Sequence, residues 1–230
     1  METPTFDPPW KNLYQLAGIA AIASIVIILL GIVTYFIWPY SPENQSTEEI
    51  LLLLQSDPFG GLVSLDLFLF VGNLFSIFLF LALYVSLKPV NESYALAALA
   101  VGLLGLVLLI PSRPIFEIFA LSGKYAAATT ASVKSQMIAS AGALLALFDG
   151  TGWFMNTLLG ALSLLASSLL MLRSQTYNKA TAYAGIVTNL LVCGFFIPGL
   201  GKLLLFLSLP GYITWYFLLA RRFFQMGRNA

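Results

Sequence analysis

Histidine is absent from all 230 residues, cysteine occurs once, and Asp, Glu, Lys and Arg together make up only 9% of the chain. Without histidine the chain lacks the most frequent general base, metal ligand and haem ligand. Histidine-ligated haem or chlorophyll, a histidine-containing di-iron site and a histidine-dependent intramembrane serine protease are thereby excluded. The single cysteine, Cys193, lies inside an apolar run, so no disulfide forms within one chain. A formal charge of +1 gives no electrostatic footprint for nucleic acid, which needs clustered Lys and Arg. No catalytic motif, metal-ligand set or cofactor fingerprint is present. Gly199-Leu200-Gly201-Lys202 lacks the spacing and the strand–helix context of a phosphate loop. A retinal pigment needs a lysine in the middle of the last span, and Lys202 stands at its edge.

What fills the chain is oil-soluble. Apolar residues make up 59% and aromatics 14%, a membrane composition. A span needs about 20 apolar residues, with its backbone groups bonded inside the helix. Six stretches meet that standard: 13–38, 67–87, 93–110, 152–172, 180–197 and 203–220. The third is closed by Pro111, and the sixth carries a bend signal at Pro210-Gly211. The first run is far longer than a signal-peptide core and reads as a retained span. Trp10, Tyr14, Trp38, Tyr84, Trp153 and Tyr177 fall near the ends of these runs, where interfacial aromatics sit.

The segment 133–148 has helical periodicity but is too short to cross. The residues between Lys134 and Asp149 make only about 21 Å of helix. It reads as an interfacial or re-entrant helix paired with an amphipathic helix over 114–128. The expected fold is therefore all-α, a single membrane domain over 1–230. It has six transmembrane helices plus two interfacial or re-entrant helices between the third and fourth spans. The loop before the second span carries Glu43, Glu48, Glu49 and Asp57 and no basic residue. Within it Ser46-Thr47-Glu48-Glu49 reads as a capping box opening a short helix over Ile50–Leu54.

Lys and Arg bias sets orientation. With both termini in the cytoplasm, the inner side carries Lys11, Lys88, Arg173, Lys179, Arg221, Arg222 and Arg228. The outer side carries Arg113, Lys124, Lys134 and Lys202. A seven-span arrangement scores slightly better on charge alone, but helix length argues for six. The cytoplasmic membrane is the expected location. An internal echo at an offset of 87 aligns Asn91, Ala95 and Pro111 with Asn178, Ala182 and Pro198. It reads either as a duplicated two-helix hairpin, a device of transport folds, or as a chance match of leucine-rich runs.

Candidate ligand-binding residues gather around the centre. Arg113 and Glu117, four apart, and Lys124, seven further on, would share a helical face. Arg113 could hold a phosphate or carboxylate through two parallel bonds; the alternative is a solvated edge of an interfacial helix. Asp66, Glu117 and Asp149 could form a hard-cation site or a proton relay. As alternatives, Asp66 caps a span and Asp149-Gly150-Thr151-Gly152 is a turn into one. Asn73, Asn156 and Asn189 are intramembrane amides, suited to bonds across helices or to a polar pathway. Small residues four apart, Ala98 with Gly102 and Ser163 with Ser167, allow close helix approach.

The run Pro111-Ser112-Arg113-Pro114-Ile115-Phe116-Glu117, followed by Leu121-Ser122 and Tyr125-Ala126-Ala127-Ala128-Thr129, carries a family likeness. So do Met171-Leu172-Arg173-Ser174, Lys179 to Gly185 and Trp215-Tyr216 to Ala220-Arg221-Arg222. The chain resembles an uncharacterised family of bacterial multi-span membrane proteins, a domain of unknown function. That likeness implies fold and location and no activity. The functional expectation is a non-catalytic membrane protein, an accessory or scaffold subunit or a binder of lipid or another hydrophobic ligand. Its partners would be membrane lipids, another membrane protein or a second copy. The alternatives are a small-solute or ion transporter and, last, an intramembrane enzyme using carboxylates.

Overall fold

The structure, a computed structural model, describes residues 10–229, and every regular element among them is helical. Eleven α-helices follow in order among these residues: α1 (Lys11–Tyr35), α2 (Ser41–Asn44), α3 (Thr47–Ser56), α4 (Pro58–Ser64), α5 (Leu67–Leu87), α6 (Glu92–Ser112), α7 (Ile115–Ala127), α8 (Ala131–Leu145), α9 (Thr151–Met171), α10 (Lys179–Cys193) and α11 (Gly201–Asn229). Six segments are long and apolar enough to cross a bilayer, beginning at Lys11, Leu67, Glu92, Thr151, Lys179 and Gly201. The protein is an all-α polytopic helical bundle. The termini, to which the orientation argument refers, lie outside the described residues.

Several boundaries differ from expectation for definable reasons. Pro111 does not close the third span, because α6 continues through Ser112 with the proline inside its last turn. The break comes at Arg113-Pro114, where Pro114 takes the position before α7. Pro210 likewise lies inside the continuous α11. α10 ends at Cys193 and gives way to a 3-10 turn over Gly194–Phe196, short of the expected 197. The first span ends at Tyr35, before Trp38. Segments 114–128 and 133–148 fold as α7 and α8, two helices each too short to cross.

The chain divides into two compact units. One comprises residues 1–28, 72–106 and 156–230; the other comprises 29–71 and 107–155. In the first unit every helix touches the next. Gly72 of α5 lies against Ile27 of α1 and Gly102 of α6 against Phe80 of α5. Gly105 of α6 lies against the backbone of Asn156 and Gly160 on α9, and Gly185 of α10 faces both Ser168 of α9 and Trp215 of α11. Gly18 of α1 packs beneath the Phe224 ring, which returns α11 to the first helix. At Gly18, Gly102 and Gly185 a neighbour lies under 3.0 Å from where a Cβ would stand, and at Gly72 and Gly105 the approach is tight, at 3.2 and 3.3 Å. The Ala98–Gly102 pair acts as its spacing suggested. Ser163 Oγ donates to the Ala98 carbonyl at 2.5 Å, a bond possible only at close backbone approach. Trp215, Leu219, Phe223 and Met226 of α11 are fully buried in the core of this unit.

The hairpins α5–α6 and α9–α10 share local features, though their second helices differ in length, 21 against 15 residues. Asn91 Oδ1 accepts from Tyr94 N at 3.0 Å and Asn178 Oδ1 accepts from Thr181 N at 2.8 Å, so the matched asparagines cap matched helices. The matched alanines, Ala95 and Ala182, are both buried. The offset is not uniform: α10 starts 87 residues after α6 (179 against 92), but α9 starts 84 after α5 (151 against 67). α5 and α9 have equal length, 21 residues. The difference lies in the longer connection that carries Tyr177, whose hydroxyl meets Ser86 Oγ at 2.6 Å. Tyr177 and Tyr14, expected at the interface, are instead buried in the core.

In the second unit α3, α7 and α8 enclose a smaller core of Ile50, Leu51, Leu54, Ile118, Tyr125, Ala141 and Phe148. The capping box is formed: Ser46 N donates to Glu49 Oε2 at 2.7 Å and Glu49 N donates to Ser46 Oγ at 3.3 Å. Those bonds hold the exposed Glu49 carboxyl below its ordinary range. α2 and α4 were not anticipated, although Ser41-Pro42 and Asp57-Pro58 carry the proline-first signature of a helix start.

Gly185 and Gly31 provide opposed substitutions. A Cβ at Gly185 would fall 2.6 Å from Trp215 Nε1, whereas one at Gly31 would meet nothing within 4 Å. Gly185→Ala should destabilise the detergent-solubilised protein by about 1–3 kcal/mol through overpacking. Gly31→Ala should be neutral or stabilising by up to roughly 1 kcal/mol. Thermal unfolding of both variants checks the contrast.

Candidate functional site

Arg113 follows the last residue of α6, and its side chain turns into the protein, where only 2% of it remains exposed. Nε donates to Asp66 Oδ2 at 3.0 Å. Nη1 donates to two backbone carbonyls, Ser112 at 3.0 Å and Phe148 at 2.8 Å. The guanidinium lies over two rings, Phe148 at 4.8 Å and Trp153 at 4.4 Å. A planar cation with in-plane donors and apolar faces suits this setting, whereas an ammonium would bond but could not stack in the same way.

Helix ends explain the location. Ser112 O is at the C-terminus of α6, and Phe148 O belongs to the turns that finish α8, where carbonyls without helical partners favour a cation. Asp66 immediately precedes α5 and supplies the carbonyl that accepts from Phe70 N, so its negative charge sits at a helix N-terminus. The ion pair thus lies among dipole ends of matching sign. Asp66 has φ 68°, a left-handed conformation that Asp tolerates better than most residues. That backbone turns the chain sharply between α4 and α5.

Burial pushes the Asp66 carboxyl above the usual carboxylate range, and the Arg113 charge and bond draw it back. Tyr40, whose ring contacts Phe148 with centroids 6.5 Å apart, also titrates above its ordinary value. Its burial is the main cause, followed by the charge on Asp66. Tyr40, Ser112, Phe148 and Trp153 did not stand out in the sequence as site residues. The aromatic spacing carried no such signal, and a backbone carbonyl is available at nearly every position.

The expected residues are therefore only partly brought together. Asp66 and Arg113 meet. Glu117 and Lys124 lie on the exposed surface of α7, and Asp149 is exposed in the turn before α9. The expected face shared by Arg113 and Glu117 is not formed, because Pro114 separates Arg113 from the helix that carries Glu117. Gly150, not Asp149, supplies the first helical acceptor of α9, bonding Phe154 N. Asp66 does stand at a helix start, but its Oδ2 accepts from Arg113.

Two of the three intramembrane amides, Asn156 and Asn189, are engaged in packing. Asn156 Nδ2 donates to Gly105 O on α6 at 2.9 Å. Asn189 is fully buried, donates to Gly185 O within α10 at 2.8 Å and accepts from the Tyr212 hydroxyl of α11 at 3.2 Å. Asn73 is half-buried on α5. Among the described residues, no three His, Cys, Asp or Glu side chains are grouped to hold a metal ion.

A family model for a domain of unknown function, DUF4386, matches residues 16–220, nearly the whole chain and every span. The protein belongs to the DUF4386 family. DUF4386 membership is consistent with the multi-span bundle and assigns no activity to the Arg113–Asp66 pair. No curated protein and no solved structure matches the chain.

Removing Asp66 leaves the buried Arg113 charge without its carboxylate, whereas the Asp66 side chain is itself 27% exposed. Asp66→Ala should cost about 3–5 kcal/mol, and Arg113→Ala less. The double variant should cost less than the sum of the two by more than about 0.5 kcal/mol, the signature of a direct pair. Unfolding in detergent across the four proteins checks this; additive losses would show that the two side chains act separately.

Proposed function

We propose that this chain is a non-catalytic integral membrane protein, an accessory or scaffold subunit or a binder of lipid or another hydrophobic ligand. The observation that carries the reading is the internal use of Arg113. The central cation is held by a carboxylate, two carbonyls and two rings, a structural clamp more than an open recognition site. The exposed charges of α7 stand apart from it, Asp149 in the α8–α9 turn acts on Asp66 through its charge, and large apolar side chains cover much of the outer surface. Membrane lipids and a partner membrane protein or a second copy fit such a surface.

Its setting is the cytoplasmic membrane, with both termini inside. Burial of Arg113 sharpens that argument, since it removes a solvent-facing charge from the outer side of the Lys and Arg tally.

A second reading is a transporter of a small solute or ion, favoured by the matched caps of the two hairpins and the equal lengths of their first helices, α5 and α9. The bonds made by Asn156 and Asn189 support helix packing instead.

The full chain extracted with its native lipid should retain a defined protein or hydrophobic molecule, read by native mass spectrometry. Steady proton or monovalent-cation flux into proteoliposomes holding the purified chain alone would overturn the reading in favour of transport.

A further inference from the structure

α3, α7 and α8 share one core but present different outer faces. α3 exposes Glu49, Ser56 and Leu52, together with Glu48 and Gln55, which also bond Tyr125 and Ser122 of α7. α8 turns out a mixed face, with Ser132, Lys134, Ser135, Gln136 and Ser140 beside Ala131, Val133, Ala139 and Ala143. α7 differs. Ile115, Ile118, Ser122 and Tyr125 are buried, and the opposite side exposes Phe116, Phe119, Ala120, Gly123 and Ala127 at helical spacing. Glu117 and Lys124, seven apart, fall together along one edge of that exposed face. A helix packed on a protein core with water outside shows the reverse, polar residues opposite its buried stripe.

The exposed face continues surfaces that belong to spans. The last turns of α6 expose Val107 and Ile110, and the first turn of α5 exposes Leu69. Phe70, next in α5, meets Phe116 edge-on with ring centroids 6.2 Å apart. Apolar surface thus runs from the ends of two candidate spans onto α7. At 13 residues α7 is about 20 Å long, too short to cross. Its two charges sit at an edge from which they can reach headgroups and water while the apolar strip stays dry.

We propose that α7 is a membrane-seated helix, lying in the lipid headgroup layer with its Phe116–Phe119–Ala120–Gly123–Ala127 face against the acyl chains. The inference rests on the six-span bundle and is independent of an accessory or ligand-binding role. It makes the membrane itself the partner of this surface and leaves the outward faces of α3 and α8 to water. Gly123, where a Cβ would meet nothing within 4 Å, places open space at the centre of the lipid-facing strip.

Nitroxide labelling tests it. In a Cys193→Ser background, Phe116→Cys, Ala120→Cys and Gly123→Cys are labelled singly, with Ser135→Cys on α8 as reference. Each full-length protein is reconstituted into phosphatidylcholine–phosphatidylglycerol vesicles, after a check that its unfolding temperature is retained. Collisions with oxygen and with a water-soluble nickel chelate report depth. The three α7 labels should lie roughly 5–10 Å below the phosphates, with Ser135→Cys open to nickel. Open exposure of the α7 labels to nickel would overturn the proposal by placing the face in water. Shielding from both reagents would also overturn it, by showing that a second copy or another protein covers the face.

Discussion

A guanidinium withdrawn from water must satisfy its charge and its donors where it lies. Arg113 does so through residues far apart in the chain: Asp66 before α5, Ser112 closing α6, Phe148 in the turns after α8 and Trp153 in the first turn of α9. These segments cannot shift independently without leaving a buried charge poorly solvated, a penalty of several kcal/mol. The pair is therefore less a source of stability than a constraint on which arrangement of helix ends is acceptable. The left-handed backbone at Asp66 belongs to the same constraint, since it redirects the chain at the residue that meets the cation. In the same unit, Trp38 Nε1 donates to Asp57 Oδ2 at 2.8 Å, while the other carboxylate oxygen caps α4 through Gly60 N.

Around this node the second unit is held by a mixture of apolar packing and side-chain bonds. Gln55 of α3 donates to Ser122 of α7 at 2.8 Å. The Tyr125 hydroxyl donates to Glu48, and Lys134 of α8 lies over the Tyr125 ring at 5.2 Å. The first unit works differently. Its helices meet through glycines and serines, with bonds from Ser163, Asn156 and Tyr212 fixing the crossings. Lipid supplies little hydrophobic drive for helices to associate, so shape and polar bonds must do so. Thr188 Oγ1 and Trp215 Nε1 in the first unit depart from the rule that a buried polar group finds a partner.

The six spans were legible in the sequence because hydrocarbon thickness fixes the length of an apolar run. The α7 and α8 pair was legible for the complementary reason, a periodic run too short to cross. Small-residue spacing correctly marked the α6–α9 approach at Ala98, Gly102 and Ser163. The centre of the site was only half legible. Arg113 stood out, but local spacing pointed to Glu117, while its partner Asp66 lies 47 residues earlier and looked like a helix cap. Sequence periodicity reports neighbours within one helix and contains no register between helices. Trp153 and Tyr177 likewise looked interfacial, because position near a span end does not say whether a ring faces lipid, a cation or a core.

The matched hairpins have a consequence for how the bundle ends. Ala98, Gly102 and Gly105 of α6 correspond to Gly185, Asn189 and Val192 of α10 at the 87-residue spacing. On α6 this stripe receives α9; on α10 its Gly185–Asn189 portion receives α11. The final helix thus occupies, for the later hairpin, the berth that the start of that hairpin occupies for the earlier one. A row built this way could in principle accept another pair of helices. It stops because α11 also folds back on the opening helix, with Phe224 over Gly18 and Gly227 beside Gln15. Inserting one more pair would prise that seam apart, so the number of crossings is a property of closure and not of the repeating unit.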